Sequence, residues 1–480
     1  MDAFSLDLII KWAAVAAVTA MAIAASVHAL LYKRDPRASL GWIAVCILFP
    51  AVGPLLYYLF GINRIKIKAD RLEAYAPFQL SRTVNADWED PVAGDLVPPE
   101  FRAQARISRN VSGRPLLGGN AIKAFRNGEA AYPEMLAAIN SASETCYLST
   151  YIFESNKTGK DFIEALTRAK DRGVDVRVVI DGIGEKYSLP WAGRVLKKAG
   201  VPCAHFLPPT IIPPQFSINL RNHRKMLVCD GRTAFVGGMN IGDRHLVEKP
   251  VVKSPVADTH FEIKGPAVAQ IEEIFLWDWG YATGQFTEPH EPRAEHSGEA
   301  ACRCVSDGPN EEMDRLTMII AGAISSARRK VRIMTPYFLP PLNIISAMQT
   351  ASLRGADVTV ILPSNNNLPY VHWASMNMLW ELLQRGIKVF VQPPPFNHTK
   401  LLSVDSRYVN VGSANLDPRS LRLNFELGLE IYDSEFAAEV NEHYDSVLAK
   451  SREITLEDVD SRSLLVRMRD SFFWLFSPYM

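Results

Sequence analysis

One pattern of five residues occurs twice in this chain, with the same spacing each time. The two copies are His223-x-Lys225-x4-Asp230-x6-Gly237-x2-Asn240 and His398-x-Lys400-x4-Asp405-x6-Gly412-x2-Asn415. With each residue type at roughly one position in twenty, a second copy would arise by chance about 10⁻⁴ times per chain. The pattern therefore indicates an internal duplication, which restricts the fold to two similar halves.

The surroundings of the two copies support the duplication. A strand-like run at 146–153 is followed by a helical run and a buried strand, and the same order begins again at 331–338. Strands that alternate with helices of this length favour βαβ units and a largely parallel sheet. We therefore expect an α/β fold with two halves, residues 118–300 and 301–450, each with a mixed or largely parallel sheet. A duplicated fold most naturally places its functional site between the halves.

Within each copy, the polar residues are spaced so that they can meet. His223 and Lys225 are two apart in a strand, so their side chains point to the same face. Asp230 begins a hairpin turn, and the returning strand brings Asn240 back to the histidine and the lysine. The second copy repeats this with His398, Lys400, Asp405 and Asn415. The small residues that would allow a close approach of the backbone to a ligand are Gly237, Gly238, Gly412 and Ser413.

Two imidazoles, two ammonium groups and two amides form a phosphate site that needs no metal. A neutral histidine can attack phosphorus while a protonated one gives its proton to the leaving alkoxide. The lysines and asparagines would stabilise charge on the non-bridging oxygens. The candidate catalytic residues are thus His223, Lys225, Asp230, His398, Lys400 and Asp405. Of these, the two aspartates begin turns, where an aspartate more commonly caps its own hairpin.

The paired HxKxxxxD motifs resemble those that define the phospholipase D superfamily, and the resemblance covers roughly residues 118–450. It implies a duplicated α/β fold and a covalent phosphohistidine, with His223 as the nucleophile and His398 as the general acid and base. It also implies a carboxylate behind each histidine, and by motif position these are Asp258 and Glu426. Such a carboxylate fixes the tautomer of an imidazole and raises its basicity. No cofactor and no metal are implied.

The N-terminus contains two long apolar runs, 8–31 and 40–60. Each is long enough to cross about 30 Å of hydrocarbon as a helix, which predicts a transmembrane hairpin over residues 1–61. A cleaved signal peptide or a buried core hairpin is disfavoured, because the first residues are acidic and a second apolar run follows directly. Pro50 and Pro54 interrupt the second run, so a kink or a dip into the bilayer is also compatible with it.

Basic residues around the two runs bear on their orientation. Those expected on the side of the main body (Lys11, Arg64, Lys66, Lys68, Arg71) outnumber those of the connector (Lys33, Arg34, Arg37). Because cytoplasmic segments carry the excess of basic residues, the catalytic part is expected in the cytoplasm. Residues 34–61 resemble the membrane hairpin of bacterial cardiolipin synthases, in Arg34-Asp-Pro36-Arg-Ala38-Ser-Leu-Gly-Trp42 and again in Phe60-Gly61. That resemblance implies an enzyme of the bacterial inner membrane that joins two phosphatidylglycerols and releases glycerol, with phospholipid and membrane as its partners.

Three further segments carry expectations of their own. Residues 62–117 lack sustained apolar periodicity and are interpreted as a linker. The proline-rich segment 207–216 is either a rigid buried loop or a lip that dips toward lipid tails. The tail, 451–480, ends in a mixture of basic and aromatic residues, which favours an amphipathic anchor at a membrane interface.

Other functions use the same features differently. A hydrolase that makes phosphatidic acid would need the same site, with water as the acceptor. A nuclease is disfavoured because Lys+Arg and Asp+Glu balance at 52 each, so no nucleic-acid partner is expected. A lipid-binding scaffold would not need both motifs intact, and a metal hydrolase would have a lysine where its metal should lie. The six cysteines are scattered, which argues against a disulfide framework and mildly favours a reducing compartment.

Overall fold

The computed structural model describes residues 3–33, 36–62, 96–209, 220–290, 293–308 and 314–480. The chain divides into two compact units, of which the smaller comprises 1–71 with 210–215 and the larger comprises 72–209 with 216–480. Several features used above lie outside the described residues, namely Asp2, Arg34, the basic residues at 64–71 and most of the proline-rich segment 207–216.

The smaller unit consists of helices α1 (Ala3–Tyr32), α2 (Pro36–Leu48) and α3 (Val52–Leu56), with a π-helical turn at Tyr57–Gly61. Within the described residues, α1 is the one helix long and apolar enough to cross a membrane, with a mean hydropathy of 2.0 over Asp7–Tyr32. The second apolar run is not one helix, because the chain leaves α2 at Phe49, next to Pro50. The structure thus has one continuous candidate span and a second run that is broken.

Short contacts fix the broken run inside the smaller unit. A hydrogen bond of 2.7 Å joins Nδ1 of His28 to the hydroxyl of Tyr57, and the Ser39 hydroxyl donates to the carbonyl of Ala29. A Cβ on Gly53 would lie 2.4 Å from the carbonyl oxygen of Val45. The backbones of α2 and α3 therefore approach so closely that only glycine fits there.

The larger unit carries the strands and the remaining helices. Its strands are β1 (Leu117–Arg126), β2 (Thr145–Thr150), β3 (Asp175–Asp181), β4 (Cys203–Phe206), β5 (Met226–Cys229), β6 (Thr233–Gly237), β7 (Val256–Ala257), β8 (Thr259–Lys264), β9 (Ala300–Asp307), β10 (Lys330–Met334), β11 (Asp357–Pro363), β12 (Lys388–Gln392), β13 (Phe396–Asn397), β14 (Leu401–Val404), β15 (Tyr408–Gly412), β16 (Glu426–Tyr432) and β17 (Arg452–Ile454). Its helices are α4 (Arg102–Ser112), α5 (Asn127–Ser141), α6 (Lys157–Asp171), α7 (Ala192–Lys198), α8 (Val268–Thr283), α9 (Arg315–Ser325), α10 (Leu342–Leu353), α11 (Pro369–Leu383), α12 (Ser434–Leu448), α13 (Leu456–Asp460) and α14 (Leu464–Trp474).

The order of strands in the large sheet is symmetric about its centre, where β1 and β9 are neighbours. Outwards from there, one side runs β1-β8-β6-β5-β2-β3-β4 and the other runs β9-β16-β15-β14-β10-β11-β12, with β17 at the outer edge. Apart from β17, each strand has its counterpart at the same distance from the centre. The duplication expected from the motifs is therefore a duplication of topology, and the halves join into one sheet.

The sheet is mixed, and less of it is parallel than the sequence suggested. In the described part of the large sheet, the parallel pairs are those of β2 with β3, β3 with β4, β10 with β11 and β11 with β12. The strands that carry and flank the two motifs pair antiparallel, and a short hairpin joins β5 to β6 and β14 to β15. The βαβ pattern was correct for the outer strands and does not extend to the inner ones.

Part of the segment interpreted as a linker belongs to a hydrophobic core. Residues 63–95 lie outside the described part, whereas Phe101 and Ala105 are buried in the core that surrounds β10 and β11. The Gln104 amide donates to the carbonyl of Ile319 in α9 at 2.9 Å. Helix α4 therefore packs onto the second half.

Candidate active site

The backbone around each histidine pairs with the opposite half of the larger unit. The amide of His223 donates to the carbonyl of Phe425 at 2.9 Å, and the amide of Phe425 donates to Arg221. In the mirror arrangement, β13 pairs with β7, and the amide of His398 donates to the carbonyl of Ala257 at 2.7 Å. Each histidine is thus aligned with the residue that precedes the carboxylate of the other half.

This crossed pairing brings the two imidazoles together and places a carboxylate behind each of them. The ring centroids of His223 and His398 are 6.3 Å apart. Nδ1 of His223 lies 3.2 Å from the carboxylate of Glu426, and Nδ1 of His398 lies 2.9 Å from Asp258. A carboxylate at Nδ1 keeps the proton on that nitrogen, so the lone pair of the neutral ring is on Nε2.

The two lysines lie at the histidines as the alternation of the motif requires. Nζ of Lys225 donates to the carbonyl of His223 at 2.6 Å, and Nζ of Lys400 donates to that of His398. Both lysines are buried. The ring of Tyr151 lies 5.3 Å from that of His223. These contacts enclose two cations and two imidazoles in one small region.

Burial and the concentrated positive charge control protonation in this region. Burial, followed by the charges of Lys225 and Lys400, lowers the pKa of His223 well below its usual value. Burial, followed by the charges of Lys400 and His223, does the same to the pKa of His398. Burial lowers the pKa of Lys400 to about 8 and raises that of Glu426 to about 7. At neutral pH both histidines are therefore neutral, and each of them can act as a base.

The two asparagines of the motifs support the loops next to the histidines. The side-chain carbonyl of Asn240 accepts from the amide of Ile152 at 3.0 Å, beside Tyr151. The amide group of Asn415 donates to the hydroxyl of Ser420 at 3.0 Å. Both asparagines are buried. These contacts place both side chains near the histidines. One polar group of each side chain is engaged in a hydrogen bond within the protein.

The small residues of the motifs make room for protein groups. A Cβ on Gly238 would lie 2.7 Å from a carboxylate oxygen of Asp258. At the corresponding position of the second half, the hydroxyl of Ser413 donates to Glu426. A Cβ on Gly237 would lie 2.6 Å from the ring of His260, and one on Gly412 would lie 2.0 Å from the carbonyl of Leu427. We expected these small residues to let a ligand approach the backbone closely. The groups that approach the backbone there are instead the two carboxylates and the neighbouring strands.

The structure does not bring the two aspartates of the motifs to the histidines. The carboxylate of Asp230 accepts hydrogen bonds from the amides of residues 143–145, at the start of β2. Asp405 accepts from the amides of residues 328–330, at the start of β10. Each lies seven residues of extended chain from its histidine, roughly 20 Å at about 3.3 Å per residue. The inclusion of Asp230 and Asp405 among the catalytic residues is thus corrected: they cap backbone segments at the far end of the hairpins.

Buried ion pairs around His223 were not predicted from the sequence. Arg221 pairs with Asp181 at 2.7 Å, and Arg224 pairs with Asp278 at 2.6 Å. The arginines flank His223 in the sequence, but nothing in the motif spacing indicates their distant partners. Arg419 was also missed, and its charge helps to lower the pKa of His223 after burial and the two lysines.

No group of three or more His, Cys, Asp or Glu residues that could hold a metal ion occurs in the described ranges of the chain. All six cysteines are buried and free. The groups that meet at the histidines are therefore imidazoles, ammonium groups, amides and carboxylates.

Known proteins are similar in sequence to this chain over nearly its full length. Residues 135–279 and 320–448 match the family described as "Cardiolipin synthase, PLD-like domain", and residues 20–61 match the family described as "Phospholipase D-nuclease N-terminal". "Cardiolipin synthase A" of Pseudomonas putida (strain GB-1) is 33% identical over 96% of this chain and 96% of that protein. "Major cardiolipin synthase ClsA" of Bacillus subtilis (strain 168) is 30% identical over 93% and 95%, respectively.

Among solved structures, phosphatidylserine synthase of Haemophilus influenzae Rd KW20 superposes with a TM-score of 0.62. It is 18% identical and covers 79% of this chain and 100% of its own, so this similarity concerns the fold alone. The sequence matches go further, because the family match includes both motif regions and the similar proteins align along nearly their whole length. The paired motifs predicted the superfamily and the N-terminal segment predicted the family, and the chain belongs to the cardiolipin synthase family of PLD-like proteins.

Proposed function

We propose that this protein joins two molecules of phosphatidylglycerol into cardiolipin and releases glycerol, through a phosphatidyl group held on His223. The observation that carries the proposal is the pair of imidazoles 6.3 Å apart, each backed by a carboxylate from the other half. Reacting atoms in a near-attack arrangement lie about 3 to 3.5 Å apart. One phosphorus atom can therefore reach one histidine while its leaving oxygen reaches the other.

The first step cleaves the bond between phosphorus and the glycerol head group. Nε2 of His223 donates its lone pair to phosphorus, and the bond from phosphorus to the glycerol oxygen breaks. That oxygen takes a proton from His398, which acquires it when the anionic phosphate enters the site and raises its pKa. Glycerol leaves, and His398 is neutral. Lys225 and Lys400 stabilise charge on the non-bridging oxygens during this step.

The second step reverses the first with a different alcohol. Neutral His398 removes the proton from a glycerol hydroxyl of another phosphatidylglycerol, whose oxygen attacks the phosphohistidine. The bond between phosphorus and nitrogen breaks, cardiolipin leaves, and His223 is restored. One phosphodiester is consumed and one is made for each transfer, so the exchange needs no nucleotide. The hydrolase alternative differs only in that water replaces the lipid hydroxyl.

A position at the membrane favours transfer of the phosphatidyl group to a lipid hydroxyl over its hydrolysis by water. Helix α1 is apolar along a length that can cross a bilayer, and a chain held there meets lipid hydroxyls at high local concentration. We place the protein in a bacterial inner membrane with its larger unit in the cytoplasm. The proposal includes a second membrane contact by the broken run, which enters the bilayer without a straight crossing.

Product analysis tests the function. The full-length protein in phosphatidylglycerol vesicles, with a chelator present, should make cardiolipin and glycerol in equal amounts. His398→Ala should lose this activity, whereas His372→Ala should keep it, because His372 lies in α11 and belongs to neither motif. Phosphatidic acid as the main product would favour the hydrolase, and no lipid turnover would reject both reactions.

A further inference from the structure

Helix α14 presents an apolar stripe to the outside of the larger unit. The stripe comprises Leu464, Leu465, Met468, Phe472, Leu475 and Phe476. Leu465 is 79% exposed, Leu475 66% and Phe472 56%. Their spacing of three and four residues puts them on one side of the helix and of the turn that follows it. Large apolar side chains grouped in this way on a surface mark a contact with another molecule or with a membrane.

The opposite side of α14 packs against the rest of the larger unit. The ring of Phe473 lies 5.0 Å from that of Trp373 in α11. Asp470 is buried and receives hydrogen bonds from Arg462 at 2.5 Å and from Arg469 at 2.7 Å. The helix is therefore anchored by one face, and the stripe lies on the other.

We infer that the stripe inserts into the interface of an anionic lipid bilayer and gives the larger unit a membrane contact of its own. This inference rests on the proposed function, whose substrate is an anionic lipid. The charge around the stripe fits such a surface. Asp470 is the acidic residue of Leu464–Trp474, and it is paired with Arg462 and Arg469. Arg467 and Arg469 are exposed. Apolar side chains flanked by arginines are the composition of helices that lie in the plane of anionic membranes.

The tail that carries the stripe ends beside the candidate active site. The carbonyl of Met480 accepts a hydrogen bond of 2.9 Å from the amide of Arg419. Arg419 begins the π-helical turn that leads to Asn424 and Glu426, and its charge reaches His223. A bilayer in contact with the stripe would therefore lie near the loop that borders the histidines, where the lipid head group is required.

Quenching of a fluorescent label tests the contact without any need for catalysis. The full-length Leu465→Cys variant is labelled with a small dye and reconstituted in phosphatidylglycerol vesicles that contain lipid brominated on the acyl chain. The matched control is Leu353→Cys, which is 69% exposed in the native chain and lies at the end of α10, just before β11. We expect quenching at position 465 to exceed that at position 353 by about threefold or more.

Equal quenching at the two positions would overturn the inference. The inference would also be overturned if protection of the dye at position 465 depended on the density of protein in the vesicles and not on brominated lipid. In that case a second copy of the chain would occupy the stripe. If the dye at position 465 is quenched but no cardiolipin is formed, the membrane contact stands and the proposed function fails. The two failures are therefore distinguishable.

Kinetics with two forms of substrate provide a second test. The variant Leu465→Ser/Met468→Ser/Phe472→Ser should lose about tenfold in kcat/KM on phosphatidylglycerol vesicles. On a short-chain phosphatidylglycerol that is dispersed as monomers, its activity should stay within about twofold of the parent protein. Leu342→Ser/Leu353→Ser removes two exposed apolar side chains from α10 and should change neither value. A parallel loss on both substrates would contradict a role in membrane contact.

Discussion

Glu426, in the second half of the larger unit, lies 3.2 Å from Nδ1 of His223 in the first half. The reverse contact, between His398 of the second half and Asp258 of the first, measures 2.9 Å. Neither half therefore contains a histidine with its own carboxylate. Because each half supplies what the other lacks, the site requires both halves in one sheet.

Removal of the charge on Glu426 should disable His223 without unfolding the protein. Glu426→Gln keeps the shape of the side chain but no longer fixes the tautomer or stabilises the charge on the ring. We expect kcat to fall by about 10² or more. The effect should be much smaller in a variant that already carries His223→Ala, because both residues act through the same ring. The control Glu439→Gln should have no effect on kcat. Equal losses from Glu426→Gln in both backgrounds would contradict the contact.

The pH dependence should have a basic limb from the lysines. Burial lowers the pKa of Lys400 to about 8, so its positive charge is complete below that pH and is lost above it. Burial also lowers the pKa of Lys225. Because an anionic phosphate binds the charged lysines, kcat/KM should fall as pH rises above about 8. With Lys400→Arg, one titrating group is removed and the decline should be shallower. A flat profile of kcat/KM up to pH 10 would contradict this prediction.

Asp230 and Asp405 should matter for stability and not for chemistry. Each carboxylate accepts three backbone amide hydrogen bonds. Asp230→Asn or Asp405→Asn would place an amide among those donors, which we expect to cost about 1 to 3 kcal/mol of stability. The melting temperature should fall while kcat, measured well below it, stays within about twofold of the wild type. Loss of kcat with an unchanged melting temperature would restore a catalytic role for these residues.

Gly238 should control the position of Asp258. In Gly238→Ala the new methyl group would lie 2.7 Å from a carboxylate oxygen of Asp258, so that the carboxylate must move away from His398. We expect kcat to fall by about tenfold, with a stability loss of about 1 to 3 kcal/mol. Ser413→Ala is the matched control, because that position already has a Cβ and loses only the hydroxyl, which donates to Glu426 and accepts from the amide of Leu427. A Gly238→Ala enzyme as active as Ser413→Ala would show that Asp258 tolerates the displacement.

The sequence predicted those features of the fold and the site that follow from local, repeated patterns of residues. The two motifs indicated the duplication, the same-face alternation of His223 with Lys225, and the hairpin that follows them. The resemblance added Asp258 and Glu426. It was confirmed at the level of the family, and the structure shows these carboxylates behind the histidines.

What could not be predicted depends on pairing between distant segments. The assignment of Glu426 to His223 follows from the bridge between residues 222 and 425, which no local pattern reveals. The inner strands pair antiparallel, whereas the alternation of strands and helices in the sequence favoured parallel pairing. The spacing of the motif made Asp230 a candidate catalytic residue, but its carboxylate accepts hydrogen bonds from the backbone at the start of β2. The second apolar run has the composition of a membrane span, yet it is broken next to Pro50 into short helices.

The most direct test of the two-histidine mechanism is the position of the covalent intermediate. The His398→Ala variant, given phosphatidylglycerol labelled with ³²P, should release glycerol slowly and retain label as an acid-labile phosphohistidine, because it lacks the base that activates the second hydroxyl. Peptide mapping should place that label on His223, with none retained in a variant that also carries His223→Ala. Label on another residue, or turnover of the wild-type protein without any labelled intermediate, would contradict the mechanism.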